Sequence, residues 1–146
     1  MSAGSFVRER LIRFSDCDPA GIVFYPQYFV MFNGLVEDWV EEGLGVGYRR
    51  LIVERRIGLP TVRLEAEFRA VSRMGDRVSL QLAVKRLGGR SLTLDLRCTG
   101  RAADGSEELR MRVEQVLVTT SLETHRAIEL PSDLRAAIEA GVTPGA

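Results

Sequence analysis

Apolar residues recur along the chain at two different periods, and the change of period divides it. From residue 62 onward the period is two. Val62, Leu64, Ala66 and Phe68 alternate with Arg63, Glu65, Glu67 and Arg69; Val78, Leu80, Leu82 and Val84 alternate with Ser79, Gln81, Ala83 and Lys85; Leu92, Leu94, Leu96 and Cys98 alternate with Ser91, Thr93, Asp95 and Arg97. Such alternation marks strands with one buried face. A last strand begins at Leu109, Met111 and Val113, and the phase changes at Glu114-Gln115 before Val116 and Val118, which predicts a bulge there. Met74-Gly75-Asp76, Gly88-Gly89 and Asp104-Gly105 read as hairpin joints between these strands.

Upstream the pattern differs. Phe6 to Phe14 reads as a strand, followed by a run of turn formers from Ser15 to Gly21. From Pro26 to about Glu42 the period is helical, with Pro26 at the first position and Gly43 ending the helix. Tyr28, Phe32, Leu35 and Trp39 form one stripe and Phe29, Val36 and Val40 an adjacent one, so the helix is largely buried. Residues 44–60 read as an irregular connection with a short helix near Tyr48 to Glu54, and Pro131 to Ala140 as a short amphipathic helix stopped by Gly141. The expectation is an α+β fold in which a long antiparallel sheet curls around helix 26–42, the one large apolar helix available to cover it.

Composition narrows the function. A length of 146 residues predicts one domain over 1–146 with a core that needs no staples. Twenty basic residues balance 20 acidic ones, which argues against a nucleic-acid partner or an anionic membrane surface. No apolar run reaches the roughly 20 residues of a membrane span, and Met1 to Phe6 lacks the order of a signal peptide. Cys17 and Cys98 are too few for a disulfide framework, so the cytoplasm is the expected compartment. His125 is the single histidine, in a polar stretch, so histidine-based triads are disfavoured and no metal site is expected.

Residues 16–28 are the most unusual segment. Asp16-x-Asp18-x-x-Gly21 matches the opening of a calcium loop, yet Ala20 and Gln27 stand where ligands are needed. Turn capping is the simplest duty for the two aspartates. Cys17 lies between carboxylates that raise its pKa, which makes it structural rather than nucleophilic. Gly43-x-Gly45-x-Gly47 follows a helix instead of a strand and is no dinucleotide loop. The chemical reading of 16–28 sets a carboxylate on a turn about seven residues before a buried helix. The first amides of that helix lack internal partners and sit at the positive end of its dipole. An anion-stabilising amide facing a carboxylate suits acyl transfer. A thioester suits it best: its thiol leaving group has a pKa near ~8.5 and departs without a histidine to protonate it.

Asp16-Cys17-Asp18-Pro19-Ala20-Gly21-Ile22-Val23-Phe24-Tyr25-Pro26-Gln27-Tyr28 closely resembles the signature of hotdog-fold acyl-CoA thioesterases, nearest the Pseudomonas-type 4-hydroxybenzoyl-CoA thioesterase branch. The likeness continues through Glu42-Gly43-Leu44, Val53-Glu54-Arg55, Gly58-Leu59-Pro60 and Arg126-Ala127-Ile128-Glu129-Leu130-Pro131. The resemblance implies that Asp18 is the catalytic carboxylate, as nucleophile or as base toward water. It implies that the Tyr25 backbone amide polarises the thioester carbonyl, that Gly21 permits close approach, and that Asp16 is structural. Short-chain acyl-CoA relatives commonly carry His at the position of Tyr25 and Glu at that of Asn33. Tyr25 therefore favours an aromatic acyl group, while Asn33 replaces an acidic residue of the aromatic branch as well. Only Arg90 remains where that branch has three consecutive basic residues, so Arg86, Arg90 and Arg126 are the expected partners of the CoA phosphates. No cofactor is implied, CoA being part of the substrate.

Three further readings follow. The same pocket would serve a thioesterase for short-chain aliphatic acyl-CoA, or a non-catalytic module binding acyl-CoA or an acyl carrier. The related hotdog dehydratases generally use a histidine, which this segment lacks. A curled sheet leaves an open edge, and the resemblance implies a homodimer with the active site at its seam, assembled into a homotetramer.

Overall fold

The structure is a computed structural model that describes residues 4–142; the remaining residues of the expected 1–146 domain lie outside that description. One five-stranded antiparallel sheet dominates, with spatial order β1 (Phe6–Leu11), β4 (Arg77–Leu87), β5 (Ser91–Arg101), β6 (Glu107–Val118) and β3 (Thr61–Phe68). A small second sheet pairs β2 (Ile57–Gly58) with β7 (Thr120–Ser121). Helix α1 (Tyr25–Asp38) runs across the inner face of the large sheet and continues into a wider π turn over Trp39–Gly43. Helix α2 (Ser132–Val142) closes one end of the core with Leu134 and Ile138. The expected α+β hotdog architecture is thus realised, with Tyr28, Phe32, Leu35 and Val36 of α1 packed against Leu80, Leu82, Leu94, Leu96, Met111 and Val113 of the sheet.

Three boundaries differ from expectation. The first strand stops at Leu11, because residues 14–16 coil into a 3-10 turn. Helix α1 begins at Tyr25, with Pro26 second, since Phe24 still holds an extended backbone at φ −68°, ψ 122°. No bulge lies at Glu114-Gln115: pairing with β5 is continuous there, and Gln115 itself takes the inward position between Val113 and Leu117. The bulge is four residues earlier, where Cys98 pairs with Met111 and Thr99 with Leu109, leaving Arg110 as the extra residue. A polar side chain that finds a partner inside the sheet had mimicked a phase change: Gln115 Nε2 donates to Thr61 Oγ1 at 2.7 Å.

All eight residues of β3 are exposed although half are apolar: among the described residues no strand pairs with its outer edge, and α1 meets it chiefly through the rings around Phe68.

Candidate functional site

The segment carrying the acidic motif folds as a tight hairpin. Phe24 N–H donates to the Asp16 carbonyl at 2.9 Å, Cys17 bridges Val23, and Asp18 N–H donates to the Ile22 carbonyl at 3.0 Å. Gly21 closes the tip with φ +79°, a conformation that side-chain-bearing residues avoid, and its N–H donates to the Asp18 carbonyl at 2.9 Å. The Asp18 carboxylate is half-buried at this tip. Its Oδ1 accepts the Ala20 amide at 2.9 Å, and among the described residues no hydrogen bond goes to Oδ2.

Asp16 has a different task. It is almost fully buried and accepts Arg10 Nη2 and the Arg13 amide, both at 2.8 Å. That arrangement pins the entrance of the hairpin to β1, in line with the structural duty expected of it. Cys17 is a free thiol whose pKa is pushed up, first by burial and then by the carboxylates of Asp16, Asp18 and Asp76. A thiolate nucleophile is disfavoured there, as the flanking charges had suggested.

Tyr25 is the first residue of α1 and follows Phe24 at the hairpin exit. Pro26 carries no N–H, and the Gln27 amide is spent on the Phe24 carbonyl at 2.8 Å. The first turn therefore leaves Tyr25 N–H with no backbone partner among the described residues, at the positive end of the helix dipole. The Tyr25 ring is 60% exposed and meets Phe24 and Phe68 edge-on, at 5.6 and 6.1 Å between centroids. Beside it opens a cleft of about 300 Å³, lined by Ile22, Val23, Tyr25, Tyr28, Phe68 and the chain from Arg69 to Ser72.

A second cavity, of about 370 Å³, lies further along α1. Asn33 stands on its rim, eight residues or about 12 Å beyond Tyr25. Phe29, Phe32, Leu64, Leu96 and Val113 form apolar walls, and Thr61 and Gln115 add a polar end. Gln115 and Phe68 were missed as site residues. The polar residue at an inward strand position was the available signal for Gln115; Phe68 carried none, since its strand reads as ordinary core.

The arginines lie elsewhere. Arg86 follows the β4 bulge at Lys85, and Arg90 sits on the β4–β5 turn with its Nε 3.3 Å from Glu129 Oε1. Arg126 occupies the 121–127 loop next to the Thr120–Ala127 bridge, and Arg90 borders the same region because its carbonyl accepts the Thr119 amide at 2.9 Å. All three are exposed. They gather at one end of the sheet, while Asp18, Gly21 and Tyr25 gather at the other, where β4 begins. From Arg77 to Arg86 the strand runs about 30 Å. His125 is exposed in the same loop as Arg126, with φ +59°, away from the hairpin.

Comparison with known proteins places the chain in a family. Residues 12–138 match the thioesterase-like superfamily. The 4-hydroxybenzoyl-CoA thioesterase of Pseudomonas sp. (strain CBS-3) is 30% identical over 135 residues, covering 90% of this chain and 95% of that protein. The 1,4-dihydroxy-2-naphthoyl-CoA hydrolase of Prochlorococcus marinus (strain MIT 9313) is 26% identical over 142 residues, covering 91% and 83%. Among solved structures, a mutant 4-hydroxybenzoyl-CoA thioesterase complexed with 4-hydroxybenzoyl-CoA superposes with a TM-score of 0.85 at 28% identity, covering 93% of this chain and 99% of that one. By this family match and this relative, the chain belongs to the thioesterase-like superfamily.

Proposed function

We propose that the chain hydrolyses an acyl-CoA thioester to the free acid and CoA, with Asp18 attacking the carbonyl or directing water at it and the Tyr25 amide holding the carbonyl oxygen. The hairpin carries this reading, because it has a carboxylate with an unbonded Oδ2 at its tip and a helix-end amide without a backbone partner at its exit, among the described residues. As the carbonyl carbon becomes tetrahedral, negative charge grows on its oxygen, and a fixed N–H at a helix N-terminus stabilises that charge more than the ground state. Collapse expels the CoA thiolate, which needs no acid partner at neutral pH. Water supplies the oxygen of the product acid, directly or by hydrolysing an Asp18 anhydride.

The acyl group proposed is aromatic and 4-hydroxybenzoyl-like. Phe29, Phe32 and Leu64 suit an aryl ring, and Asn33 with Gln115 offers hydrogen bonds to a ring substituent. Arg86, Arg90 and Arg126 are the proposed phosphate partners. In one chain they stand a full strand length from Asp18, so the arginines serving a given Asp18 come from a second copy. That copy is proposed to dock on β3, which has an unpaired edge and exposed Val62, Leu64 and Phe68, and of which Leu64 lines the larger cavity and Phe68 the cleft beside Tyr25. Two such dimers make the proposed tetramer. Neither metal nor cofactor enters this scheme. The cytoplasm is the compartment proposed, on the chemistry of two free thiols.

A thiol-trapping assay over aromatic and aliphatic CoA esters tests the reading. Release of CoA fastest from hydroxyaryl esters supports it. Preference for short aliphatic esters transfers the site to the aliphatic class, and binding without thiol release makes the chain a carrier module.

A further inference from the structure

Beneath the hairpin, one buried arginine grips the backbone on which Asp18 and Tyr25 rest. Arg110 occupies the bulge of β6 and is 4% exposed. Its Nη1 donates to the Val71 carbonyl at 3.1 Å, Ser72 Oγ at 3.2 Å and Asp76 Oδ2 at 2.9 Å; Nη2 donates to the Arg101 carbonyl at 2.8 Å. Glu108 Oε1 lies 2.8 Å from Nε, an ion pair off the N–H direction. The Arg110 carbonyl accepts the amides of Arg69 and Ala70 at 2.9 and 3.1 Å. Gly100 makes room for this, since a Cβ there would stand 2.6 Å from Nη2. A bulge re-aims a side chain, and here it turns the guanidinium onto segment 69–76.

That segment supports both parts of the site. The Ser72 carbonyl accepts Val23 N–H at 2.9 Å, the Met74 amide donates to the Gly21 carbonyl at 3.2 Å, and Ile22 bridges Arg73. Ser72 Oγ also accepts the hydroxyl of Tyr28 at 2.9 Å, which ties it to α1 one turn after Tyr25.

We infer that Arg110 is a positioning residue for thioester cleavage, acting through Ser72 and segment 69–76 to fix the Asp18 carboxylate against the Tyr25 amide without touching substrate. The inference rests on the roles assigned to Asp18 and Tyr25 above. Because the groups it ties lie on three elements, its removal loosens their mutual geometry before it unfolds the sheet, and a misplacement near 1 Å costs on the order of 100-fold in rate.

The test compares Arg110→Met, Gly100→Ala, Ser72→Ala and Tyr28→Phe with wild type by kcat, KM, thermal midpoint and amide hydrogen exchange. In Arg110→Met, kcat falls by on the order of 100-fold with KM nearly unchanged, the split expected when only transition-state geometry is lost. Exchange quickens at Val23 and Met74 while Leu94 and Leu96 in β5 keep their rates. Ser72→Ala and Tyr28→Phe lower kcat by about tenfold each, and their double variant loses no more than the larger single, because the bond from Tyr28 is already gone once the Ser72 hydroxyl is removed. If Arg110→Met does not fold, those two variants carry the same expectations. Folded variants with wild-type kcat, or faster exchange spread evenly through β5, overturn the inference and reduce Arg110 to general stabilisation. If the wild type releases no thiol from any CoA ester, the role of Asp18 fails separately, and the exchange pattern alone then decides whether Arg110 holds the hairpin.

Discussion

Phe24 donates its amide to the Asp16 carbonyl at 2.9 Å, so the residue before Tyr25 is clasped to the residue two before Asp18. A carboxylate and a helix-end amide that lie seven residues apart in sequence therefore leave the same short hairpin. Their relation is set by backbone hydrogen bonds rather than by side-chain packing, and it tolerates change on the surrounding surface while remaining sensitive to the turn itself.

Gly21 is the weak point of that turn. A Cβ there meets nothing within 4 Å, so the penalty of Gly21→Ala is conformational alone, about 1–2 kcal/mol for a left-handed alanine. We expect a small drop in the unfolding midpoint and a kcat lowered about tenfold as the hairpin relaxes. Gly21→Asn, which tolerates positive φ, recovers most of both. Equal activity of the alanine variant and wild type would contradict the role of the turn.

Dimerisation is testable at β3. Light scattering is expected to give a mass well above the 16.2 kDa of one chain. Val62→Glu sets a charge on the exposed apolar stripe of β3 at a residue that lines neither cavity, and it should yield folded monomer with thioesterase activity lost. An active wild-type monomer would remove the need for a second copy's arginines.

The thiols should be quiet. Burial pushes Cys98 up to about 12, against a smaller opposing pull from Arg110, and Cys17 is raised as well. At pH 7.5 iodoacetamide should label Cys17 slowly and Cys98 only after denaturation, as read by mass spectrometry. Cys17→Ser should keep full activity. His125→Ala should keep it too, and a loss would point toward the histidine-dependent dehydratase reading.

Acid should weaken the protein in a defined window. Burial pulls the Asp76 carboxyl up, but the Arg73 amide and the Arg110 guanidinium together hold it below its ordinary 3.8. The Arg55 guanidinium holds Asp133 below 3.8 in the same sense. A folded pKa below the unfolded one means stability that is fully present above about pH 4 and is lost as pH falls through the folded value. Urea midpoints should be flat from pH 7 to about 5 and fall below pH 4, and Asp76→Asn should flatten part of that fall.

The fold was legible because its elements obey one period each. Helix α1 shows a wide apolar stripe, and β4 and β5 alternate cleanly into the core. The bulge was misplaced for a physical reason. A buried glutamine at 115 broke the apolar alternation without breaking the pairing, whereas the true bulge at Arg110 keeps a charged residue where a strand surface would. That Asp18 lies on a turn shortly before a helix starting near Tyr25 was readable because hairpin and helix start are local in sequence. The Arg110–Ser72–Tyr28 tie was not: it joins residues up to 82 positions apart, and no local pattern encodes which buried arginine meets which carbonyl.

Replacing Asp18 by Asn tests the central claim most directly, since it keeps the size of the side chain and its bond to the Ala20 amide. Thioester hydrolysis by the purified, folded variant should fall by at least about 1000-fold at saturating substrate, with the CoA ester still bound, a loss on the scale of removing an essential group. Turnover of the same acyl-CoA at the wild-type rate would contradict the assignment.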